Sequence, residues 1–140
     1  MKTLVLDANI LIRAVLGQRV RQLLIDHAPH VNFFAADTAF DEARRHLPTI
    51  LSRRRVPELP GLAMLAQLPT LVCPLGTDLY GHLQRAALAR IAERDPDDWP
   101  TLACALLLDC PIWSEDADFF GTGVATWTTS RIGLFLGDSL

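Results

Sequence analysis

Met1-Lys2-Thr3-Leu4-Val5-Leu6-Asp7-Ala8-Asn9-Ile10-Leu11-Ile12 opens the chain, and the reading of this stretch decides the fold. The apolar run Leu4-Val5-Leu6 stops abruptly on a carboxylate. Such a run reads as a buried strand whose carboxyl end presents Asp7 to a crevice, the place where open α/β sheets bind ligands. Asp7 is therefore either an active-site carboxylate or a cap for a helix starting at Ile10. Asn9 reads first as a helix cap, with a supporting role beside Asp7 second.

Working outward, Ile10 to Leu16 is helical and stops at Gly17, and Val20, Leu23 and Leu24 give one apolar stripe on a second helical segment ending near Pro29. This crossover is long enough to feed a parallel strand, Val31 to Ala36. Asp37 and Thr38 then signal a helix start, with Asp41 in capping-box spacing. The following helix carries Phe40, Ala43, Leu47, Ile50 and Leu51 on one face and Glu42 away from it. Ser52 to Arg55 and Pro57 to Gly61 break the pattern. A short helical piece, Leu62 to Leu68, leads into a third strand, Thr70 to Cys73, bracketed by Pro69 and Pro74. Asp78 to Glu93 has helical spacing, Arg94 to Pro100 a turn, and a helix from Pro100 to about Asp109 precedes strand four, Pro111 to Trp113. Gly121 and Gly123 precede strand five, Val124 to Trp127, and a loop with a short apolar piece, Ile132 to Leu136, follows. Alternating strands and helices imply a three-layer α/β/α domain around a five-stranded parallel sheet.

The 140 residues make one domain, 1–140, that buries roughly 70% of its unfolded surface. Half the residues are hydrophobic and 21% are charged, while no apolar run approaches the roughly 20 residues a membrane span needs. No signal-peptide pattern precedes Asp7, so a cytoplasmic location is expected. Three cysteines without a CxxC pair read as buried reduced thiols. A net charge of -3 argues against a general polyanion-coating protein but leaves room for a local basic patch.

In a parallel sheet the carboxyl ends of strands and the amino ends of the helices after them share one edge. That edge collects Asp7, Glu42, Asp98 and Asp116. Like charges this close raise one another's pKa, so something cationic is required. Lys2, the only lysine, lies toward the opposite edge. A divalent cation is the economical answer, and an all-oxygen donor set favours Mg²⁺ or Mn²⁺ over zinc. Taken singly, each acid has a plainer use: Asp98 as a helix cap, Glu42 as a partner of Arg45 or His46, Asp95 and Asp97 as turn residues, Asp116 and Asp118 as loop carboxylates.

The order of these residues resembles the PIN-domain family of metal-dependent nucleases, particularly its bacterial VapC-like members. The resemblance rests on Leu-Asp-Ala-Asn-Ile-Leu at one end and Trp-Ser-Glu-Asp-Ala-Asp-Phe-Phe-Gly at the other, and it covers essentially the whole chain. It implies that Asp7, Glu42, Asp98 and Asp116 form an acidic quartet holding the metal, with Asn9, Ser114 and Asp118 as supporting polar groups. Asp97 competes with Asp98, which lies nearer the apolar helix. It also implies cleavage of single-stranded RNA by an activated water, a homodimer, and in bacterial members a toxin held by an antitoxin. Arg13, with Arg44 or Arg45, would contact substrate phosphates, and Arg53 to Arg55 a further basic strip.

Haloacid-dehalogenase-like phosphatases and phosphoacceptor receiver domains also begin with a strand ending in Asp, but both require a crevice lysine. A PIN-like module that binds RNA or a protein without cutting is the stronger alternative. The complete quartet favours catalysis over it.

Overall fold

The computed structural model describes residues 1–137. Strand β1 (Lys2–Leu6) is followed by α1 (Ala8–Leu16), α2 (Gln18–His27), β2 (Val31–Ala36), α3 (Asp37–Arg53), α4 (Glu58–Gln67) and β3 (Val72–Leu75). The second half holds α5 (Thr77–Tyr80), α6 (Gln84–Ile91), α7 (Trp99–Leu108), β4 (Ile112–Trp113), β5 (Thr126–Trp127) and α8 (Ile132–Leu136). The strands form one parallel sheet in the order β3-β2-β1-β4-β5. Helices cover both faces, α1 to α4 in mutual contact and α5 to α7 forming a second group, with α7 against β1 and β2.

This order has a topological consequence. The chain moves outward from β1 to β3, then returns past β1 to lay down β4 and β5. The switch point falls between β1 and β4, where such sheets open a crevice. Val5 pairs with Ile112 and Leu6 with Trp113, so Asp7 and Ser114 emerge side by side from the sheet. Leu4, Val5, Leu6 and Trp113 are fully buried, which makes the crevice floor rigid.

Several boundaries differ from the sequence reading. The third strand runs Val72–Leu75, not Thr70 to Cys73, because β3 is an edge strand and tolerates Pro74 within it. Cys73 is exposed there, whereas Cys104 is buried. The stretch from Asp78 to Glu93 is not one helix. It breaks into α5, a 3₁₀ turn over Gly81–Leu83, and α6.

The break follows an anchored side chain. Tyr80 is fully buried and its hydroxyl donates to Asp37 Oδ1, while Thr77 donates to Asp37 Oδ2 from its amide at 3.1 Å and its hydroxyl at 3.0 Å. The expected capping box at Thr38 is thereby replaced, since Asp37 ties the start of α3 to α5. Burial raises the Asp37 pKa, but the hydrogen bonds from Tyr80 and Thr77 outweigh it and hold it below the ordinary range. Tyr80→Phe removes one donor to a charged acceptor and is expected to cost about 1 kcal/mol in urea unfolding. An unchanged midpoint would show that the tie contributes nothing.

Candidate active site

Asp7 is the N-cap of α1, its Oδ1 accepting from Ala8 N at 2.8 Å. Asn9 therefore is not the cap. It lies inside α1, and its Nδ2 donates to Asp7 Oδ2 at 3.0 Å and to Ser114 Oγ at 3.2 Å. Ser114, fully buried at the end of β4, donates to Asp7 Oδ2 at 2.9 Å and accepts from Asp116 N at 2.9 Å. Asn9 Oδ1 accepts from Glu115 N at 3.2 Å, so one side chain joins α1 to the loop after β4. The carboxylate of Asp7 is thus oriented by three donors from two elements.

All four expected acids reach one place. Asp7, Glu42, Asp98 and Asp116 line a common cavity of about 170 Å³ that also touches Asn9 and His46. A larger adjoining cavity of about 660 Å³ shares Asp7, Glu42, His46 and Asp98 and adds Arg45 and Asp97. The tightest grouping is a different four: carboxylate oxygens of Asp95, Asp98, Asp116 and Asp118 all lie within 4.8 Å of one another. Asp95, assigned to a turn from sequence, does accept from Asp97 N at 3.1 Å as a turn residue should. Its other role, beside Asp98, was legible only in the density of acids at Asp95-Pro96-Asp97-Asp98.

Asp98 stands at the N-cap position of α7 but makes no capping hydrogen bond. Its Oδ2 is buried without a partner among the described residues. An orphaned buried carboxylate oxygen is costly, and an all-oxygen acidic surrounding is the donor set that hard divalent cations take. The residues present fit such an ion. Burial raises the Asp7 pKa to about 6, with smaller contributions from the charges of Glu42 and Asp116, against the hydrogen bond from Ser114. Asp98 is also raised, by burial first and then by the charge of Asp7.

The basic residues divide. Arg44 pairs with Asp41 at 2.5 Å on the exposed face of α3 and is not among the residues lining either cavity. Arg45 lines the larger one, while His46 Nε2 sits 4.0 Å from Glu42 Oε1. Arg13 lines a separate cavity farther along α1. Lys2 donates to the carbonyl of Phe135, away from all these groups.

A clasp that sequence reasoning missed holds the acidic loop. Arg94 Nη1 donates to the carbonyls of Ala117 and Asp118, each at 3.4 Å, and to that of Phe120. Arg90 Nη1 donates to the Thr122 carbonyl at 2.9 Å. Gly121 and Gly123 adopt φ of 85° and 86°, and a Cβ on Gly123 would lie 2.7 Å from Arg90 Nη1. The left-handed backbone favours glycine at both positions, and a side chain at Gly123 would also push the Arg90 guanidinium aside. The Arg90/Arg94 spacing and the paired glycines were visible, but nothing local linked them across the intervening chain.

A PIN-domain family model matches residues 5–137. The chain belongs to the PIN-domain family. This PIN domain is similar in structure to PAE2754 from Pyrobaculum aerophilum, with a TM-score of 0.73 and 14% identity, covering 97% of this chain and 90% of that one. It is also similar to a chain of VapBC2 from Rickettsia felis, bound to a DNA fragment from their promoter, with a TM-score of 0.64, 12% identity and coverage of 90% and 98%. Mycobacterium tuberculosis VapC20, a Sarcin-Ricin loop cleaving toxin, superposes with a TM-score of 0.59 at 20% identity, covering 87% and 96%. Identities this low establish a shared fold. Comparison with curated proteins finds no match. Among the described residues of the PIN domain, no helix is long and apolar enough to cross a membrane.

Proposed function

We infer that this PIN domain is a divalent-metal-dependent endoribonuclease acting on single-stranded RNA, and that it works as a toxin restrained by an antitoxin. The observation that carries the reading is the convergence of Asp7, Glu42, Asp98 and Asp116 on one cavity that includes a buried carboxylate oxygen with no described partner. Family membership and the neighbouring toxin and toxin-antitoxin structures support it. Homodimer formation and a cytoplasmic location belong to the same reading.

Asp7, Asp98 and Asp116 would hold Mg²⁺ or Mn²⁺, with Glu42 lining the same cavity and Asp95 and Asp118 grouped with Asp98 and Asp116. Bound there, the ion supplies Lewis acidity toward a phosphodiester and lowers the pKa of the attacking water. Asn9 and Ser114 fix the Asp7 carboxylate by donating to it, which favours its charged form near neutral pH. Arg45 and His46, which line the larger cavity, would meet the anionic strand.

The test is cleavage of a single-stranded RNA by purified, nuclease-free protein with Mg²⁺ or Mn²⁺ and with EDTA. Metal-dependent cleavage is the expected result. Binding of RNA without cleavage under any metal would replace this reading with the non-catalytic module.

The raised pKa of Asp7 sets a pH dependence. The folded chain binds this proton up to about pH 6, whereas the unfolded carboxyl loses it near 3.8, so the folded state carries more protons between the two. Stability of the metal-free protein therefore falls as pH rises through that window, by on the order of 3 kcal/mol from this group. A cation competes with the same proton. The increase in thermal midpoint on adding Mn²⁺ is expected to be small at about pH 5 and to grow toward about pH 7. An increase that is largest in acid would contradict the assignment.

A further inference from the structure

The third cavity, about 290 Å³, lies at the corner between α1 and α2 and is lined by three arginines, Arg13, Arg19 and Arg54, together with Thr129. Four other arginines have side-chain partners: Arg21 donates to the Ala14 carbonyl, Arg44 pairs with Asp41, and Arg90 and Arg94 grip the loop carbonyls. Arg45, Arg53, Arg55, Arg85 and Arg131 do not line this cavity. The guanidinium groups of Arg13, Arg19 and Arg54 make no hydrogen bond or salt bridge with another described residue. Three positive charges gathered on one concavity of a chain with net charge -3 repel one another unless an anion joins them.

The cavity floor is fixed to the acidic crevice. Thr129 is buried, its amide donates to Glu115 Oε1 at 2.7 Å, and its hydroxyl accepts from Trp113 Nε1 at 3.1 Å. Glu115 in turn donates its amide to Asn9. The positive charge of Arg13 reaches the Glu115 carboxylate, a minor contribution to holding its pKa below the ordinary range. Arg13 follows Asn9 by one turn of α1, about 6 Å along the axis. That is comparable with the spacing of successive phosphates on an extended strand.

We propose that the Arg13/Arg19/Arg54 cavity is a phosphate subsite, gripping a backbone phosphodiester of the single-stranded substrate one or two nucleotides from the bond cleaved in the acidic crevice. The inference rests on the nuclease reading above and assigns it a binding register. An acidic crevice repels a polyanion, and a cationic anchor one helical turn away offsets that repulsion. The contact is to backbone, so it is indifferent to base sequence and sensitive to salt.

The experiment compares wild type with Arg19→Glu/Arg54→Glu, leaving Arg13 and the acidic crevice intact. Binding of a labelled single-stranded RNA of roughly eight nucleotides is measured in EDTA across a salt series, and cleavage of that RNA and of a dinucleotide is measured with Mn²⁺. The variant is expected to bind the longer RNA about tenfold more weakly, the size of one lost charge-assisted contact. Its log-log salt slope should shrink by about 0.7, one phosphate on a single strand. Cleavage of the dinucleotide, too short to span both sites, should not change. Equal affinity and slope in wild type and variant would overturn the subsite while wild-type cleavage upheld the nuclease. A wild type that neither binds nor cleaves RNA overturns both readings together. All three arginines are exposed, and Arg19→Gln/Arg54→Gln serves if the charge-reversed protein unfolds at lower temperature.

Discussion

Asp7→Asn is expected to lower metal-dependent RNA cleavage by about a thousandfold or more while leaving a folded protein. Asp7 is the acid most completely built into the site: it ends β1, caps α1, and accepts from Ala8, Asn9 and Ser114. Asparagine keeps the size and one acceptor but loses the charge, and it turns an NH₂ group toward donors already present. Removing a residue on which the reactive constellation depends characteristically costs several orders of magnitude. The fold should survive, because at neutral pH the wild-type carboxylate is itself charged at a cost in a buried position. The paired measurement is the thermal shift on adding Mn²⁺, which should be present in wild type and absent in the variant. Full cleavage by Asp7→Asn would remove it from the catalytic set.

The second large effect is expected at a residue that touches no substrate. Arg94→Ala should reduce cleavage about 10- to 100-fold at limiting metal, with Arg94→Lys recovering part of the loss. Arg94 fastens the loop carrying Asp116 and Asp118 through its carbonyls, and a hydrogen bond involving a charged group contributes about 1.5–3 kcal/mol. Arg94 is exposed, so freed carbonyls find water, and the fall in unfolding free energy should be nearer 1 kcal/mol. The informative readout is the metal titration. A positioning role moves the metal concentration for half-maximal rate, and saturating Mn²⁺ restores much of the rate. Identical metal dependence in Arg94→Ala and wild type would mean the clasp does not hold the site together.

Local signals carried the parts of this molecule that depend on neighbours in sequence. Val31 to Ala36 reads as a strand from composition, and β2 spans those same residues. Asp7, Glu42, Asp98 and Asp116 could be placed on one edge because parallel α/β connectivity leaves little choice about where strand ends go. What failed was competition between local and long-range bonding. Asn9 resembles a cap, but Asp7 takes that role and Asn9 reaches Ser114, which lies far along the chain. Helical spacing continues through Gly81, yet Tyr80 is held by Asp37 and the axis breaks. Arg44 and Arg45 are adjacent letters, and only the backbone decides that one meets Asp41 and the other the crevice.

The sheet is uneven. Strands β1, β2 and β3 have five, six and four residues, while β4 and β5 have two each. Asp7 and Glu42 belong to the long-stranded half, and Ser114, Asp116 and Asp118 follow the short one. Free energies of local opening scale with the contacts that must be given up, so the short half forms a weaker cooperative unit. Its amides should exchange with solvent hydrogen sooner than those of β1 and β2. Opening of the short half alone would separate the two walls of the acidic crevice without unfolding the domain, and equal exchange rates in β1 and β4 would show that the two halves open only together.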